Sequence, residues 1–232
     1  LIVNDASTSQ MPEINKPSKF ERMEILNMKE NRGHARCNAF GLRYIFQNKK
    51  FDYLIVMDGD GEDRPVEIKS LINMINESPS KSVVAKRVKR SEGPFFKLLY
   101  QIHKLITFIF TGKNINFGNY SILTKNDVGK LHSKASVWSS FSGSVKKHLS
   151  DLNEINSIRG LRYFGPSKMS LLKLIIHSFS IIAVFRNQVF IRSTLMIIVL
   201  TYLNSYFGNF FFTIIILIII FNLMIYIISR RE

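Results

Sequence analysis

The chain has 232 residues, enough for one full-sized domain and an appendage. Lys and Arg number 32 against 17 Asp and Glu, a formal charge of +15, yet 46% of residues are hydrophobic. A plain soluble domain seldom combines these traits, which suit work beside anionic headgroups or on phosphorylated substrates; the single cysteine, Cys37, excludes an internal disulfide and suits a reducing compartment.

Leu1-Ile2-Val3 reads as a strand stub that runs into polar Asn4-Asp5-Ala6-Ser7-Thr8. It opens as if in mid-strand, without an initiator Met, so an N-terminal piece is expected to be missing. Residues 9–19 carry Pro12 and Pro17 and read as a loop, and Met23 to Met28 is a second apolar run. His34 to Gln47 sets Ala35, Ala39, Leu42 and Phe46 at helical spacing, and Tyr53 to Met57 is a β-favouring run ending at Asp58. Val66 to Ile75 is again helical, and Val83-Val84 begins another strand. Alternation of strand and helix predicts an α/β domain with a mostly parallel sheet over residues 1–165. Ligands of such sheets gather at the carboxyl ends of strands, where Asp5 and Asp58 both fall.

From Lys81 to Lys104 there are seven basic residues and one acid, Glu92. Met169 to Phe185 is strongly apolar with polar punctuation, the pattern of an amphipathic helix in a membrane interface, here over 166–188. Residues 189–232 predict a two-helix transmembrane hairpin turning at Gly208-Asn209. Phe210 to Ser229 runs 20 uncharged residues, enough for a hydrocarbon core of about 30 Å. Arg186 and Arg192 precede the hairpin and Arg230-Arg231 follow it. The positive-inside rule therefore puts both ends, and the α/β domain, in the cytoplasm of a multi-pass protein of the cell membrane.

Asp58-Gly59-Asp60-Gly61-Glu62-Asp63 holds four carboxylates in six residues, which repel one another unless a cation sits among them. Hard oxygen ligands select Mg²⁺ or Mn²⁺, the arrangement that stabilises a departing diphosphate. The alternative is a solvated acidic turn, against which the strand-end position weighs. An apolar strand followed by Asp-x-Asp-Gly also suits haloacid-dehalogenase-type phosphohydrolases. Their chemistry needs a later acidic pair, and none follows Asp63.

Taken together, Leu1 to Thr8, Asn31-Arg32-Gly33-His34-Ala35 and Asp58 to Pro65 resemble family 2 glycosyltransferases. The likeness is to the polyprenol-phosphate branch that includes dolichol-phosphate mannose synthase. Further matches are Arg87 to Arg90 with Glu92-Gly93, Phe117 to Ser121, and Arg159 to Met169. The resemblance implies a GT-A fold whose first strand is absent here. It implies metal ligation by Asp58, Asp60 and Glu62, with Asp60 and Asn119 at the reacting centre and donor contacts from Asp5, Gly33 and Asp58. It implies phosphate and acceptor contacts from Arg87, Arg90, Arg159, Arg162, Ser167 and Lys168, although a basic face touching headgroups competes for part of this charge. Asn119 stands where some relatives carry Asp, but a phosphate monoester, already ionised at neutral pH, attacks without a base.

The expected activity is inverting hexosyl transfer from a nucleotide-sugar to a membrane polyprenyl phosphate. The alternatives are transfer to a hydroxyl acceptor in glycan synthesis and a catalytically silent membrane partner. Nucleic acid is not expected, because the basic residues adjoin the apolar segments and no RNA-binding motif is present. A homo-oligomer is compatible with the sequence.

Overall fold

The structure, a computed structural model, describes residues 1–8, 18–89, 94–163, 165 and 170–230, without the side chains of 89 and 94–97. The elements in order are β1 (Ile2–Asn4), β2 (Ile25–Asn27), α1 (His34–Asn48), β3 (Tyr53–Val56), a 3-10 turn (Pro65–Glu67), α2 (Ile68–Glu77), β4 (Val83–Lys89) and α3 (Pro94–Thr111). There follow β5 (Phe117–Thr124), α4 (Lys125–Leu131), α5 (Ser136–Ser139), α6 (Phe141–His148), β6 (Asn153–Ile158), α7 (Leu171–Ala183), α8 (Arg186–Phe207), a 3-10 turn (Gly208–Phe211) and α9 (Phe212–Ser229).

Among the described residues the strands form a parallel β1–β2 pair and a four-stranded sheet in the order β3-β5-β4-β6. The expectation of a mostly parallel sheet needs correction. Strand β5 pairs antiparallel with both β3 and β4, and only β4–β6 is parallel within the larger sheet. The cause is one strand: β3, β4 and β6 share a direction, and β5 runs against them from the centre.

Centrality explains the composition of β5. Phe117, Tyr120, Ser121, Ile122, Leu123 and Thr124 are all buried, the continuous pattern of a strand covered on both faces. Leu123 and Val84 join Ala39 and Leu42 of α1, Val128 of α4 and Phe141 of α6 in one core. Tyr120, Ile122, Val83 and Ala85 meet Leu71 and Ile75 of α2 in the other. The result is a three-layer α/β/α stack. The apolar runs 23–28, 34–47, 53–57 and 66–75 all lie in or against these elements, whereas α3, β5 and β6 emerge only in the structure. The proline-containing segment 9–17 lies outside the described residues.

Past the sheet the chain is helical. Ile182 and Ala183 of α7 pack with Val189 near the start of α8 and with Ile225 and Ile228 near the end of α9. A helix start and a helix end in one cluster mean that the chain reverses direction, through Gly208 at φ 64°. Helix α8 opens at Arg186, three residues before the expected boundary, because Val189 is drawn into this cluster. Among the described residues one stretch, Arg186–Ser229, is long and apolar enough by length and composition to cross a membrane.

Candidate active site

The acidic hexapeptide begins where β3 ends. Gly61, at φ 91°, supplies the left-handed residue the turn requires. The Asp58 backbone N–H donates to Asp63 Oδ2 at 2.9 Å, and the Glu62 N–H donates to Asp60 Oδ1 at 3.0 Å, an Asx-type closure. The loop is therefore held by its own carboxylates.

Strand register brings Asn119 to it. Val56 pairs with Ser121, so two residues further along the antiparallel ladder Asp58 faces Asn119. The Asn119 side-chain amide donates to Asp58 Oδ1 at 3.0 Å.

The chain leaving β6 closes over the same loop. Gly160 N–H donates to Glu62 O at 2.8 Å and Tyr163 N–H to Asp60 O at 2.9 Å. Arg159 pairs with Glu62; Arg162 reaches Glu62 Oε1 at 3.1 Å and Asp60 Oδ2 at 2.9 Å. Burial pushes Glu62 up, but the two guanidiniums outweigh it and hold the carboxyl below its usual range. Glu67 fastens the edge, accepting from Ser157 Oγ at 2.6 Å and Ile158 N–H at 3.0 Å.

Asp63 is 4% exposed, and burial pushes it up to about 6, with Asp58 and Asp60 adding repulsion against the Asp58 N–H bond and Arg87. Arg87, on β4, lies 4.0 Å from Asp63 Oδ1 and passes over Gly118, where a Cβ would sit 2.6 Å from its Nη2.

Asp5, at the end of β1, accepts from the backbone N–H groups of Arg32 and Gly33, both at 2.7 Å, and Asn31 donates to its carbonyl at 2.9 Å. The carboxylate thereby shapes the loop that opens α1.

Of the residues singled out in the sequence, Asp58, Asp60, Glu62, Asn119, Arg87, Arg159 and Arg162 thus surround one loop, while Asp5 and Gly33 form a clamp at β1. Arg90, Ser167 and Lys168 lie outside the described residues. Among the described residues no group of three or more His, Cys, Asp or Glu side chains is arranged to hold a metal ion. Glu67 and Tyr163 carry no local sequence signal, since their partners are remote in the chain, and Asp63 shows in the sequence only as one of the four carboxylates. His177, the lone imidazole of an apolar helix, at least carried a polarity signal. It packs against His34 with ring centroids 5.2 Å apart.

The model of Glycosyl transferase family 2 matches residues 1–141, more than half of the chain and including Asp5, the acidic loop and Asn119. The chain belongs to this family. No curated protein matches it. As a family 2 glycosyltransferase it has a GT-A α/β fold and transfers a sugar from a nucleotide-sugar donor to an acceptor, and enzymes of the family commonly use a divalent metal. Arg159, Arg162 and α7 to α9 lie beyond the matched segment.

Proposed function

We propose that this family 2 glycosyltransferase is metal-dependent and inverting, and moves a hexose from a nucleotide-sugar to a polyprenyl phosphate at a cytoplasmic membrane surface. The observation that carries this is the apposition of Arg159 and Arg162 to the Asp58–Asp63 loop, just ahead of the apolar helices. Forked guanidiniums suit phosphate oxygens, and a ligand held there lies beside the segment that leads into lipid.

The oxygens of Asp58 and Asp60 fit a hard divalent cation that keeps water and substrate phosphates in its remaining positions. Glu62 pairs with Arg159 and shares Arg162 with Asp60, so it orients both guanidiniums beside these oxygens. A bound Mg²⁺ or Mn²⁺ supplies charge stabilisation to the departing diphosphate. The Asn119 amide holds Asp58 in place. A phosphate oxygen of the acceptor attacks the anomeric carbon, and the carbon–oxygen bond to the donor breaks from the opposite face. The bonding pair leaves on the nucleoside diphosphate. Asn119 offers no carboxylate base, which disfavours a hydroxyl acceptor.

A membrane hairpin is supported by the meeting of the start of α8 with the end of α9. Arg186 and Arg230 line one cleft with Phe190 and Tyr226, so the flanking cations of α8 and α9 share a side. Large apolar side chains such as Leu195, Ile198, Leu217 and Leu223 face outward.

The decisive experiment incubates membranes carrying the protein with radiolabelled nucleotide-sugars, with Mn²⁺ or with EDTA. Metal-dependent label in the lipid phase is expected. Label only in water-soluble glycan refutes the lipid acceptor, and binding without turnover identifies a silent partner.

A further inference from the structure

The start of α8 and the end of α9 are held side by side, with Val189 packed against Ile225 and Ile228, all three buried. Each helix brings the same two residue types to this joint, a cation at its end and an aromatic ring one turn further in. Arg186 and Phe190 are four residues apart on α8, and Tyr226 and Arg230 four apart at the end of α9, so each pair shares a helical face. The four side chains line one cleft of about 360 Å³, a volume within the ~300–1,000 Å³ of small-molecule sites.

Arg230 is fixed in place. Its Nη1 donates to the Tyr226 hydroxyl at 2.8 Å, and its guanidinium carbon lies 5.7 Å from the centre of the same ring. Among the described residues no carboxylate pairs with Arg186 or Arg230, so two exposed cations share the cleft without an acidic partner. Forked guanidiniums match phosphate oxygens. Beyond the rings the surface turns aliphatic: Leu223, Ile219 and Ile216 are exposed three, seven and ten residues before Tyr226, on its side of α9. Cation, aromatic ring and aliphatic run follow one another along the helix as phosphate, interface and acyl chain do through a leaflet. We propose that the cleft seats the phosphate of an anionic phospholipid from the surrounding bilayer, with its acyl chains lying along α9.

The inference rests on the membrane-hairpin reading above and names the lipid that fills one rim of it. The neighbouring cation shows that the site is local. Arg192 donates Nη1 to the Ile109 carbonyl at 3.1 Å, and a Cβ on Gly112 would lie 2.5 Å from its Nη2, so it is engaged with the end of α3 and is not among the residues lining the cleft. The cleft shares no residue with the surroundings of the Asp58–Asp63 loop, which makes its lipid a structural one, separate from the reacting acceptor.

The test uses the full chain in uncharged detergent micelles, titrated with dioctanoyl phosphatidylglycerol or dioctanoyl phosphatidylcholine, with bound lipid counted by native mass spectrometry. Wild type is expected to bind phosphatidylglycerol at least tenfold more tightly. Arg186→Gln and Arg230→Gln should each weaken that binding about tenfold, the size of one lost hydrogen bond to a charged group, and leave phosphatidylcholine unchanged. Arg186→Lys and Arg230→Lys, which keep the charge that directs insertion, should show a smaller loss in the same direction. Arg192→Gln should bind like wild type. An equal loss in Arg192→Gln overturns the proposal, because the preference then belongs to diffuse surface charge. Displacement of the lipid by inorganic phosphate, or by a short isoprenyl monophosphate at lower concentration than phosphatidylglycerol, overturns the assignment to a bilayer phospholipid. Release of the chain from membranes by alkaline carbonate sinks the hairpin reading itself, whereas retention without any phosphatidylglycerol preference overturns this site alone.

Discussion

Asn119 donates its side-chain amide to Asp58 Oδ1 at 3.0 Å, tying the first half of β5 to the loop that follows β3. Sixty-one positions separate the two, and the ladder register places them opposite each other. Asn119→Ala removes the donor and leaves Asp58 free to rotate. Transfer is expected to fall roughly tenfold in kcat, the equivalent of one hydrogen bond to a charged group. Circular dichroism should be unchanged, and a full loss of fold would contradict the assignment of Asn119 to orientation.

Glu62 supports two guanidiniums. Glu62→Gln should lower stability by about 1–3 kcal/mol, because Arg159 and Arg162 lose their charged partner in a half-buried setting. Denaturant unfolding at neutral pH measures this. The pairing also has a pH signature. Glu62 titrates below its ordinary 4.5, so its contribution is fully present above that value and fades as pH falls through the lower, native one. In the variant that acidic decline should be shallower.

Asp63 has the opposite sign. Its native pKa of about 6 exceeds the ordinary 3.8, so the folded state holds this proton more tightly than the unfolded chain. Stability from this group is present below about pH 4 and is lost as pH rises to about 6. Asp63→Asn should remove that loss, on the order of 2–3 kcal/mol, so that the stability difference between pH 4 and pH 7 shifts in favour of pH 7 relative to wild type. An identical pH profile for the two proteins would count against burial as the cause.

Two glycines near the carboxylates should respond differently. A Cβ at Gly160 would come 2.4 Å from the carbonyl oxygen of Gly61, a contact between two backbones that no side-chain rotation relieves. Gly160→Ala should lift the 159–163 segment off the loop, cost about 1–3 kcal/mol and abolish most activity. At Gly59 the same Cβ meets nothing within 4 Å, so Gly59→Ala should retain the wild-type fold and melting temperature. Comparing the two melting curves separates a docking requirement from a general intolerance of the loop.

Local signals were legible in the sequence wherever neighbours in the chain carry them. The apolar run 53–57 ending at Asp58 and the helical spacing of Ala35, Ala39 and Leu42 reflect burial of residues close together in sequence, and the uncharged stretch 210–229 is a continuous apolar run whose side chains mostly face outward. The carboxylate loop, the basic run and the membrane-like end were all visible in this way. What only tertiary structure decided is who meets whom. Strand β5 enters the sheet centre against the direction of its neighbours, Arg159 closes on Glu62 from 97 residues away, and α7 carries His177 to His34. Periodicity records which face of an element is buried. It does not record the partner, because that choice depends on how long connections close over shared cores. The acidic loop could therefore be recognised from its residues, while the contacts that surround it, from Asn119 on β5 and from Arg159 and Arg162 after β6, follow only from the folded chain.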